Sequence, residues 1–165
     1  MKNLNYEIID NFLDKKSFKE LKQRILGNEF SWFYNQEGVS GARSNDSYYF
    51  THLFFWHKTG YSKFYDMVKP IIEKLNPEIL MRVKANFFPC TKKIYEHGRH
   101  QDFDFKHRGF IFHVNTNDGF TRLKDRTKIQ TIENRGLFFD SSVPHNSTTC
   151  TNAHGRININ FNYLK

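Results

Sequence analysis

At residue 79 the chain changes period. The first 78 residues place apolar side chains at helical spacing in two stretches, whereas residues 79–165 break into short runs that alternate apolar with polar. The cleanest run is the last, GRININFNY at 155–163, in which Arg156, Asn158, Asn160 and Asn162 alternate with Ile157, Ile159, Phe161 and Tyr163. That is the two-residue period of a strand with one polar and one apolar face. Asparagine is a poor strand former, and solvent faces more often collect Lys, Glu or Thr. The polar face is therefore either an ordinary outer face or the wall of a site that holds an anion.

The other runs of the second half read as strands too: EILMRVKANFF, KIYEHGRHQDF, RGFIFHVNT, TRLK and RGLFFD, separated by turn signals such as NTNDG and TNAHG. Ahead of them, Asp14 or Ser17 caps a helix through SFKELKQRIL, with Phe18, Leu21 and Ile25 on one face. Ser62 caps a second, SKFYDMVKPIIEKL, which Pro70 kinks or interrupts and Asn76-Pro77 stops. Between the helices lies an aromatic-rich loop leading to a strand, YYFTHLFF. Helices first and many short strands after predict an α+β domain whose sheet curls into a sandwich or barrel, with the helices on one outer face. A chain of 165 residues makes this one domain: 1–78 as helical support with the aromatic-rich region, 79–165 as the β core.

Composition excludes more than it selects. Eighteen phenylalanines supply core volume, so disorder is not expected. No apolar run is long enough to span a bilayer and the start lacks a signal peptide's apolar region, which predicts a cytoplasmic protein, in the host cytoplasm if viral. Two cysteines, Cys90 and Cys150, without CxxC spacing, indicate neither a disulfide framework nor a thiolate zinc site. A net charge of +8 favours acidic partners, nucleic acid among them, but the basic residues are scattered and no nucleic-acid motif surrounds them.

Metal-ligand residue types fall in two places: His100 and Asp102 in RHQDF, and His145 in SSVPHNS. In an extended strand His100 and Asp102 project to one side about 6.6 Å apart, close enough to converge on one ion. A histidine from a neighbouring strand completes two imidazoles and a carboxylate on one face of a metal, the donor set of non-haem Fe(II) oxygenases. The order HxD, then HVNTNDGFTRL, then RGLFFDSSVPH, then Arg156 eleven residues after His145, resembles the 2-oxoglutarate- and Fe(II)-dependent oxygenases. The resemblance is to the prolyl-4-hydroxylase-like branch and its small phage-type members, and covers the last two-fifths of the chain.

The resemblance implies a double-stranded β-helix, a jelly-roll or cupin-like barrel with N-terminal supporting helices. It implies Fe(II) held by His100, Asp102 and His145, and 2-oxoglutarate as cosubstrate with its far carboxylate on Arg156. O2 would then be the oxidant of a C–H hydroxylation that releases succinate and CO2. A guanidinium is suited to that carboxylate, because it offers a planar fork of donors. Asn158 shares its face and would bond the cosubstrate. Where the family places a tyrosine ahead of the HxD this chain has Phe88, and Tyr95 is left as the candidate hydroxyl. The substrate, whether protein side chain, nucleobase or small molecule, has no readable code. The competing class is a non-catalytic barrel that binds nucleic acid or another polyanion through a basic, aromatic-rich surface.

Overall fold

The computed structural model describes residues 6–36, 48–57 and 60–165. Helix α1 (Lys15–Ile25) follows strand β1 (Tyr6–Ile9), which the sequence reading had not placed. Of the two candidate caps Asp14 is the one used: its carboxylate accepts from the backbone N–H of Lys16 and Ser17, each at 3.0 Å. Strands β2 (Phe33–Asn35), β3 (Tyr49–Trp56) and β4 (Gly60–Tyr61) come next. The second helical stretch is a 3-10 turn, Tyr65–Val68, continued by α2 (Lys69–Leu75). Pro70 does not kink a long helix; it stands in the first turn of a short one, where a missing N–H costs nothing. Asn76, left-handed at φ 44°, ends it.

Strands β5 (Ile79–Pro89), β6 (Arg108–His113), β7 (Phe120–Arg122), β8 (Lys128–Gln130), β9 (Arg135–Asp140) and β10 (Gly155–Leu164) complete the fold. The main sheet is antiparallel and runs β1-β9-β6-β10-β5-β3-β2, with β4 on β3. It does not close on itself, so the expected barrel is in fact an open major sheet faced by a smaller layer. That layer is the β7–β8 hairpin with three isolated bridges, Glu96↔Thr148, His100↔His145 and Arg122↔Asn146. The run KIYEHGRHQDF is accordingly not a regular strand. Its backbone pairs with residues 145–149 at scattered points, His97 N–H to Ser147 O at 2.9 Å and Thr149 N–H to Tyr95 O at 3.0 Å, and Gly98 falls between the bridges.

The two faces of β10 part as their alternation predicts. Ile157, Ile159, Phe161 and Tyr163 join the main core with Leu21 and Ile25 of α1 and Ile71 and Leu75 of α2. Burying such side chains is worth about 1.5–3 kcal/mol each, so the face toward the helices holds the sheet in place. The opposite face turns Arg156, Asn158, Asn160 and Asn162 toward the smaller layer. On β5, which pairs with β10 as Asn162↔Arg82, Asn160↔Lys84, Asn158↔Asn86 and Arg156↔Phe88, the inward row is Arg82, Lys84, Asn86 and Phe88. Two central strands thus present one polar wall. No helix among the described residues is long and apolar enough to cross a membrane.

Candidate active site

His100 and His145 are brought together by their own backbones, which exchange N–H···O bonds of 3.0 and 2.9 Å and set the imidazole centroids 4.5 Å apart. Asp102, two residues on, donates its N–H to Ser141 O at 3.1 Å. One ligand atom from each of the three side chains lies within 4.8 Å of the others. Nδ1 of His145 is 3.1 Å from Val143 O, and Nδ1 of His100 is 3.4 Å from Gly98 O. With the proton on Nδ1, each Nε2 keeps a free lone pair. Burial, aided by the neighbouring His145, pulls His100 down to about 4, and burial lowers His145 as well. Burial by itself would raise the Asp102 carboxyl, but the Arg82 guanidinium, with His145 and Asn162, brings it to about 2. Near neutral pH the cluster is therefore two neutral imidazoles and one carboxylate, the protonation a divalent metal requires.

Asp102 is held from both sides. Arg82 Nη2 donates to Oδ1 at 2.7 Å and Asn162 Nδ2 donates to Oδ2 at 2.8 Å. Arg82 Nε also donates to Asn162 Oδ1 at 3.0 Å, closing a ring of three side chains. Asn162 reaches Ser141 Oγ at 3.2 Å, and that hydroxyl lies 2.7 Å from His107 Nε2. Such partners fix a ligand's orientation before any ion arrives.

The cluster opens on a cavity of about 360 Å³, lined also by Lys84, Asn86, Thr121, Asn158 and Asn160. Asn158 accepts from Asn86 Nδ2 at 3.0 Å, deep in its wall. Arg156 does not line the cavity directly but lies just behind Thr121 and Phe88, which do: Nη2 donates to Thr121 Oγ1 at 2.8 Å and Nε to Thr131 Oγ1 at 2.9 Å, while the Phe88 ring sits 5.8 Å from Cζ. Gly119 makes the room, since a Cβ there would stand 2.7 Å from Arg156 Cδ. Arg156 is fully buried, and among the described residues no carboxylate lies within 4 Å of it. Burial lowers it to about 10. An unpaired buried guanidinium is costly, so the geometry suits an anion supplied from outside the chain.

His113 strengthens that fit. It is fully buried beside Asn158 in the β6–β10 register, and among the described residues neither ring nitrogen has a hydrogen-bond partner. Burial and the Arg156 charge keep the ring neutral. A cation and an unsatisfied imidazole on one buried wall are what a carboxylate would use.

Tyr95 departs from expectation. It is 43% exposed, its ring lies against His97, and it is not among the residues that line the cavity. Its segment pairs through its backbone with Thr149, which turns the side chain outward. The tyrosine that does line the cavity is Tyr49 of β3, stacked on Phe88 at 5.2 Å. Of the other aromatics between the two helical stretches, Trp32 packs on Phe30 and Phe87, Tyr34 and Tyr48 are exposed, and Trp56 stacks on Phe103. Residues 37–47 and 58–59 of this aromatic-rich region lie outside the described residues. Arg82, Lys84 and His113 escaped the sequence reading, whereas Asn162 stood on the polar face of β10 that it singled out. The alternation Arg82-x-Lys84-x-Asn86 was the available signal, because it copies the polar row of β10.

No family model matches the sequence. No curated protein matches it either. Solved structures do. A viral collagen prolyl hydroxylase from Paramecium Bursaria Chlorella virus-1, in complex with 2-oxoglutarate, superposes with a TM-score of 0.62 at 15% identity, over 99% of this chain and 98% of that one. A Pseudomonas putida prolyl-4-hydroxylase gives 0.64 at 13%, over 99% and 94%. The fold is that of the 2-oxoglutarate- and Fe(II)-dependent oxygenases. An oxidoreductase of that family from Burkholderia pseudomallei reaches 0.70 at 9% identity, over 99% of this chain and 86% of its own. The double-stranded β-helix expected from the motif order is thus the fold observed.

Proposed function

We propose that the protein is an Fe(II)- and 2-oxoglutarate-dependent dioxygenase that hydroxylates a C–H bond of its substrate and releases succinate and CO2. One observation carries the reading: a preorganised His-Asp-His cluster lines a cavity whose wall, at Thr121 and Phe88, is backed by a buried arginine without a carboxylate partner, in a fold shared with such oxygenases. Fold likeness alone leaves function open, so the argument rests on those side chains. His100, Asp102 and His145 would hold the iron, and Arg156, with His113 and the hydroxyl of Thr121, the far carboxylate of 2-oxoglutarate. When bound, the ion and the cosubstrate supply with O2 an oxidative decarboxylation and the oxidising equivalent for a C–H bond.

The chain's own share is placement and dryness. Arg82 and Asn162 keep the Asp102 carboxylate ionised and aimed. Asn86 and Asn158 brace each other, so that neither swings into the space the cosubstrate needs. Phe88 and Ile111 present apolar surface to the cavity, which limits water around the reacting groups. The described residues act as one domain, in which β1 and β3 extend the sheet built by the strands of 79–165 and α1 and α2 cover its apolar face. Two of the similar structures are named prolyl hydroxylases, but at 13–15% identity that fixes neither substrate nor position of attack. The test is anaerobic titration with Fe(II) and 2-oxoglutarate. A visible metal-to-ligand charge-transfer band is expected, absent in His100→Ala; folded wild-type protein without the band would end the proposal.

A further inference from the structure

Of the four residues on the inward row of β5, three have a partner. Arg82 is paired with Asp102, Asn86 bonds Asn158, and Phe88 lies between Tyr49 and Arg156. Lys84 is different. It lines the cavity, yet among the described residues no carboxylate lies within 4 Å of its ammonium, and the nearest aromatic is the Tyr49 ring at 5.9 Å. Asn160, its register partner on β10, has a buried Oδ1 with no hydrogen-bond partner. Among the described residues, a cation without a carboxylate and a buried amide oxygen without a hydrogen-bond donor thus face each other at the same point of the wall. Desolvation pulls the lysine down to about 8, which a bound anion would reverse.

Charge counting points the same way. Among the described residues Asp102 is the one acid that lines the cavity, and Arg82 already shares it. With iron and cosubstrate in place, five positive charges (the ion's two, Arg82, Lys84 and Arg156) would face three negative ones (Asp102 and the cosubstrate's two). Lys84 also stands four residues along β5 from Phe88, the residue opposite Arg156, or about 13 Å at strand rise. A cosubstrate anchored at Arg156 leaves Lys84 for a second molecule.

We propose that Lys84, with Asn160 beside it, docks an anionic group of the primary substrate, a carboxylate or a phosphate, so that the C–H bond oxidised belongs to an acidic molecule. This rests on the dioxygenase reading above. The test uses Zn(II)-loaded protein saturated with 2-oxoglutarate, titrated with benzoate, phenyl phosphate and neutral benzamide and followed by ligand-observed NMR. Wild type and Lys84→Arg should prefer one of the anions to benzamide by about tenfold or more, the scale of a charge-assisted bond. Lys84→Met should lose that preference while it keeps its 2-oxoglutarate affinity, which also reports that it folds. The tighter anion identifies carboxylate or phosphate. Equal binding of all three probes to wild type overturns the proposal. So does a Lys84→Met protein with weakened 2-oxoglutarate and unchanged probe binding, since the lysine would then anchor the cosubstrate. Failure of zinc-loaded wild type to bind 2-oxoglutarate at all is a separate result, seen before any probe is added, and overturns both readings.

Discussion

Asp102, the carboxylate of the candidate metal cluster, shows how much such a group's behaviour belongs to its neighbours. Both carboxylate oxygens are engaged, by Arg82 and by Asn162, in a setting where an unpaired carboxylate would pick up a proton. Removing such a partner commonly weakens metal binding about 10–100-fold. Arg82→Met is therefore expected to raise the Fe(II) dissociation constant within that range, read by anaerobic titration, with little change in far-ultraviolet circular dichroism. His113 predicts the opposite balance. Its two ring nitrogens are buried without partners, a cost of about 1–3 kcal/mol in the ligand-free fold. His113→Phe should hold or raise the melting temperature of ligand-free protein and yet raise the KM for 2-oxoglutarate by about tenfold. A lower melting temperature with unchanged KM would mean a purely structural histidine.

Two elements have consequences of their own. Beyond the β1–β9 ladder, the N-terminal segment is tied to the start of β9 by Asn134, left-handed at φ 56°, whose side chain accepts from Leu13 N–H at 2.9 Å and donates to Leu13 O at 2.8 Å. Asn134→Ala loses both bonds and places a residue that disfavours φ > 0 at that point, so urea denaturation should show a loss of about 2–3 kcal/mol. The stretch 95–100 is the second case, because it carries His97 buried against Phe88 with Nδ1 2.9 Å from Ser147 Oγ. Burial brings that imidazole from its usual 6.5 to about 4. Between those values the unfolded chain binds the proton and the folded one does not. The His97 contribution is thus complete above about pH 6.5 and is lost as pH falls toward 4. The melting temperature of ligand-free protein should fall over that window, and His97→Gln should flatten the fall.

For the whole molecule, ligands that bind only the folded chain stabilise it by mass action. At 100 times Kd the gain is about 2.7 kcal/mol, or about 5–10 °C for a chain of this size. Zinc should raise the melting temperature, 2-oxoglutarate should raise it further, and Arg156→Met should keep the first increment and lose the second. The readable part of this architecture was what periodicity and motif order encode. β10 announced its two faces through strict alternation over 155–163, and the spacing of His100, Asp102, His145 and Arg156 singled out four residues of which the fold gathers the first three within 4.8 Å and sets the fourth behind the cavity wall. The β7–β8 hairpin was only half legible, since three-residue strands carry too few side chains to show a period. Tyr95 lies off the cavity lining, because distance along the chain from His100 says nothing about which way an irregular, backbone-paired segment turns its side chains. Arg82, Lys84 and His113 sit far from the motif in sequence and reach the cavity only through strand register. Local pattern alone determined that β10 has an apolar and a polar side and which residues bear ligand atoms. Tertiary structure decided which other strands lie beside it, and so which cations and imidazoles share its buried wall, because pairing between distant strands is set by long-range packing.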